Sequence, residues 1–148
     1  MMRIFSSLWF FIVILGGCAN AEPAAQTRTA KANADVVFVK AQQDRTGKWS
    51  FAVSVSHPDT GWKDYADGWD VVDGNGVVIK DKNAKFTRLL VHPHVGEIPF
   101  TRAANGLKIS TNQVTVRAHD MLDGFGGKTV TVDLSKDKGP GFTVQRRQ

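Results

Sequence analysis

From Trp49 to Ser56 every second residue is large and apolar: Trp49, Phe51, Val53 and Val55 alternate with Ser50, Ala52, Ser54 and Ser56. Residues two apart on a strand share a face, so this period fits a half-buried β-strand and no helix. A strand with one apolar face must cover it with a second layer, so the rest of the chain has to supply that layer. The same pattern recurs. Gln113–His119 sets Val114, Val116 and Ala118 against Thr115, Arg117 and His119, and Lys128–Leu134 sets Val130, Val132 and Leu134 against Thr129, Thr131 and Asp133.

Asp35–Gln43, Gly68–Asp73 and Val77–Lys80 are further apolar-rich segments, and Phe86–Val95 reads as a strand with Leu89, Val91 and Val95 on one side. Between them stand turn signals such as Asp44-Arg45-Thr46-Gly47 and Asp73-Gly74-Asn75-Gly76, where Gly and Asn tolerate positive φ. Short strands in this number, with no helical period, predict an all-β fold: a single antiparallel β-sandwich, immunoglobulin-like, with a small closed barrel as the alternative. The sandwich is expected over residues 35–134. Residues 135–148 read as a loose basic tail, with Phe142 and Val144 available for a short edge strand. Cys18 is the only cysteine, so no disulfide can staple the fold.

The N-terminal residues have a different logic. Arg3 precedes the apolar run Leu8–Leu15, which is too short to span a bilayer, and Leu15-Gly16-Gly17-Cys18 follows. The tetrad resembles the lipobox of bacterial lipoproteins. The resemblance implies a signal peptide at residues 1–17, a diacylglycerol-modified Cys18, and, with Ala19 next, sorting to the periplasmic side of the outer membrane. Residues 18–34, rich in Ala, Thr, Gln and Lys, then read as a flexible tether. Ala19-Asn20-Ala21 offers an alternative: ordinary cleavage after Ala21 and a soluble periplasmic product. The membrane partner is thus reached through the N-terminal lipid. Nucleic acid is not an expected partner, because residues 35–134 carry equal numbers of basic and acidic side chains and the basic excess lies in the ends.

Two groups of residues bear chemistry. His92 and His94, two apart on an expected strand, would face the same way about 6.5–7 Å apart and could share a Zn²⁺ or Cu²⁺ ion. His57, His119 or Glu97 would complete that site. Pro93 weighs against it by marking a strand end, and His57 continues the inward parity of β-strand 49–56 whereas His119 lies on the polar parity. The second group is the acidic, aromatic stretch from Asp59 to Asp73. There Trp62, Tyr65, Trp69 and Asp67 could present stacking faces and acceptors to a sugar, with glycan hydrolysis as a further reading. In the competing reading, Trp62 and Trp69 plug the end of the core and the aspartates cap turns. No nucleophile motif, phosphate-binding glycine loop or catalytic triad is present in the sequence, so no catalytic residue and no resident cofactor are expected.

The segments Ser56–Trp62, Tyr65–Trp69, Leu90–Val95 with Pro99–Arg102, and Val116–Asp120 resemble a family of small, uncharacterised bacterial envelope proteins over roughly residues 35–134. The resemblance implies an exported single-domain β protein and transfers no catalytic residue. The expected function is a lipid-anchored binding or structural module that contacts an envelope polymer or protein and is not an enzyme. A histidine-based metal-binding protein is the alternative, and a glycan-binding or glycan-hydrolysing protein is third.

Overall fold

The computed structural model describes residues 33–147. The signal segment, Cys18 and nearly all of the tether lie outside them. Ten strands form: β1 Asp35–Gln43, β2 Trp49–Ser56, β3 Ala66–Asp73, β4 Arg88–Leu89, β5 Phe100–Leu107, β6 Gln113–Asp120, β7 Gly124–Phe125, β8 Val130–Asp133, β9 Lys138–Gly139 and β10 Phe142–Gln145. One sheet runs β5-β2-β1-β10-β9, and the other runs β4-β3-β6-β7 with β8 also paired to β6. Neither sheet closes on itself, which sets aside the barrel. The β1–β2 and β2–β5 pairs in one layer, and β3–β6 and β6–β8 in the other, reproduce immunoglobulin-type pairing.

The core follows from the alternation. Trp49, Phe51, Val53 and Val55 of β2 are buried against Trp69 and Val71 of β3, Val114, Val116 and Ala118 of β6, and Val132 of β8. In β1 the alternation breaks at a bulge between Val36 and Phe38. The extra residue lets Val36 and Val39 both point inward while Val37 and Phe38 face out.

Four segments depart from expectation. Val77–Lys80 forms no strand, with only Val78 bridging Val72, and Phe100–Leu107, not expected as a strand, becomes β5 alongside β2. Phe86–Val95 is not one strand: only Arg88 and Leu89 pair with β3, and Val91 and Val95 are exposed. Side chains replace the ladder here. The Thr87 hydroxyl accepts from the Val71 amide (2.9 Å) and donates to the Ile79 carbonyl (2.7 Å), while the Thr87 amide donates to Asp70 (3.0 Å). Phe86 and Leu90 are buried instead.

The C-terminal residues are not a loose tail. β10 lies parallel to β1, pairing Val39 with Phe142 and Ala41 with Val144, and both partners are buried. Nor is β10 at the edge, because β9 pairs on its other side. Arg146 donates to the Leu134 carbonyl (2.7 Å) and pairs with Asp137, tying down the last turn. The sandwich therefore extends past residue 134.

Candidate functional site

The inward parity of two strands continues past their apolar residues into polar ones. After Val55, the next inward position of β2 is His57; after Ala118, the next of β6 is Asp120. The loop from His57 to Tyr65 and the β6 terminus lie at one end of the sandwich, so these polar side chains meet under it. His57 and Asp120 are 2% and 1% exposed.

A buried polar side chain is tolerated only when its hydrogen bonds are made. His57 Nδ1 lies 2.6 Å from Asp59 Oδ1, and His57 Nε2 lies 3.2 Å from Asp120 Oδ2 and 3.8 Å from Asp64 Oδ1. Asp59 also accepts from the backbone amides of Ala66 (3.1 Å) and His94 (2.6 Å). One carboxylate thereby fixes three chain segments. Asp120 Oδ1 accepts from the Leu122 and Asp123 amides (2.8 and 3.2 Å), which aims Oδ2 at His57. Burial alone would raise the Asp120 pKa, but these two amides together with His57 hold it below the ordinary carboxylate value.

His94 is buried beside this cluster. Its ring stacks on Phe100 (3.8 Å between centroids, 10° between planes), and neither ring nitrogen has a hydrogen-bond partner among the described residues. Its Nδ1 is 3.7 Å from Asp59 Oδ2. Burial, reinforced by the Arg102 and His92 charges, lowers its pKa from the ordinary value of 6.5.

The other expected ligands scatter. The rings of His92 and His94 approach to 4.6 Å, but on an irregular loop after β4 rather than on a strand. His92 is exposed and its Nδ1 sits against the Pro93 carbonyl (3.1 Å), while His94 is buried, so the shared-face geometry does not form. Pro93 lacks the amide that a ladder needs, which is the physical reason. Glu97 is exposed and lies 3.7 Å from Arg102. His119, on the outer face of β6, belongs to a separate group. It lies 2.5 Å from Asp67, whose other oxygen accepts from Lys85 (2.7 Å), and its ring packs on Phe86 and Phe125.

The expected sugar platform does not assemble. Trp69 is wholly buried in the core and Asp67 is committed to His119 and Lys85, whereas Trp62 is 68% exposed and meets Tyr65 edge-on. Of the two tryptophans expected to plug the core, only Trp69 does so. Asp73 caps a turn as expected, accepting from the Asn75 and Val77 amides (both 2.9 Å).

Asp64 and Asp120 were not among the expected ligands, yet they are the side chains that converge with His57. One ligand atom from each lies within 4.8 Å of the others. The inward parity of Asp120 was readable in the sequence. The position of Asp64 was not, because it depends on a loop turn closed by the Asp64 amide on the Gly61 carbonyl (3.1 Å).

No family model matches the chain. A protein of Halomicrobium mukohataei, provisionally named a lipoprotein, is 34% identical to it over 121 residues, covering 79% of this chain and 57% of that protein. The chain thus spans little more than half the length of this relative. No solved structure matches. Sequence similarity therefore links the chain to a lipoprotein, and the described residues form an all-β sandwich.

Proposed function

We propose that the protein is a lipid-anchored β-sandwich module of the cell envelope, held through Cys18 on the periplasmic side of the outer membrane, and that it binds or scaffolds envelope components without catalysis. The similarity to a lipoprotein carries this reading. Leu15-Gly16-Gly17-Cys18 supports it from the sequence, since a single cysteine at the edge of a short apolar run is what lipid transfer requires. The site supports a binding role. At this pole Asp59 and Asp120 spend oxygens on backbone amides, a use that stiffens the loops around it.

Mass spectrometry of the mature protein from its envelope fraction tests the anchor. The expected product begins at an acylated Cys18, and Cys18→Ala should lose the lipid mass and leave the membrane fraction. A mature chain beginning at an unmodified Glu22 would overturn the anchor and leave a soluble module.

A further inference from the structure

The geometry points to a divalent transition-metal site at the end of the sandwich, with His57 Nε2, Asp64 and Asp120 as ligands and Asp59 as the group that orients His57. Four observations converge on it. First, the distances fit. A tetrahedral ion with bonds of about 2.0–2.1 Å holds its ligand atoms roughly 3.3–3.4 Å apart. Nε2 is already 3.2 Å from Asp120 Oδ2 and 3.8 Å from Asp64 Oδ1. The three ligand atoms lie within 4.8 Å of one another, so closing the site needs an inward movement of Asp64, which sits on a partly exposed loop.

Second, the supporting contacts are built. The short Asp59–His57 contact of 2.6 Å places a carboxylate on Nδ1, the arrangement that fixes the tautomer leaving Nε2 for a metal. The Leu122 and Asp123 amides likewise hold Asp120 with Oδ2 toward the same point.

Third, the charge is unbalanced. Asp59, Asp64 and Asp120 surround one imidazole, and the first and last of these carboxylates are almost fully buried. Excess negative charge in a dry site is costly, and a cation relieves it.

Fourth, the wall of the cluster holds an unsatisfied base. His94 is buried with both ring nitrogens unpartnered, its Nδ1 edge 3.7 Å from Asp59.

One imidazole with two carboxylates is a mixed donor set suited to Zn²⁺ or Mn²⁺. Asp64, with its side chain 35% exposed, is the ligand at the solvent edge and gives the ion its way in. The site differs from one built on His92 and His94, and the two make opposite predictions.

The test is thermal unfolding of the untagged, chelator-treated protein with added ZnCl₂ or MnCl₂. A ligand bound to the native state at about a hundredfold its Kd should raise Tm by on the order of 10 °C for a domain of this size. Asp64→Asn, at the partly exposed edge, should leave the metal-free Tm within a few degrees and abolish the rise. His92→Ala should retain it. Absence of a rise with either ion, a rise that survives Asp64→Asn, or a rise lost in His92→Ala would overturn the site. Isothermal titration with Zn²⁺ gives the second readout: one ion per chain for the native sequence and none for Asp64→Asn.

Discussion

His57 is the residue on which the end of the core depends. It sits between Asp59 and Asp120 with all three side chains almost fully buried. Removing one member of such a group leaves uncompensated buried charge, which costs about 3–5 kcal/mol. Against a typical total of about 5–15 kcal/mol, His57→Ala should lower the denaturant midpoint severely, and equilibrium urea unfolding of the metal-free protein will show it. The pH response has a definite sign. His94 has a lowered folded pKa, because burial first, then Arg102 and His92, oppose its protonation. The unfolded chain therefore takes up the proton more readily, so stability present above the ordinary value of 6.5 is lost as pH falls. Asp120, also lowered, adds a second loss in the acid carboxylate range. Tm measured from pH 8 down to about pH 2 should fall in both steps, and His94→Phe should remove the first part of that fall while preserving the stack on Phe100.

At the scale of elements, β2, β6 and β8 were legible because burial alone sets their period. The short β4 was not, since Thr87 and Asp70 satisfy the backbone that a longer strand would have paired. The seat of β10 was half legible. Phe142 and Val144 announce an inward face, but nothing local says that a strand at the far end of the chain will lie parallel to β1. The same limit applied to the site: the inward step from Val55 to His57 is local, whereas the approach of Asp64 depends on loop closure. Because β10 fills the core beside Val39 and Ala41, Phe142→Ala should cost about 3–5 kcal/mol, where a tail residue would cost almost nothing. In β3, Gly68 lies under the ring of Phe86, so a Cβ there would fall 2.0 Å from a ring carbon. Gly68→Ala should displace Phe86 from His119 and Phe125 and lower Tm by several degrees in a thermal melt.

For the molecule as a whole, stability rests on packing between two open sheets. With one cysteine in the entire chain, no intrachain disulfide can form, so Tm should be the same with and without reductant. The register that builds the sandwich also sets its polarity. Asp35 pairs with Ser56, so the chain enters β1 at the same pole where His57 leaves β2. The parallel seat of β10 sends Gln145 toward the opposite pole, next to Gln42. In a protein tethered at Cys18, the histidine–aspartate pole, where β1 begins, would look back toward the lipid headgroups, and Gln145 would lie at the pole away from them.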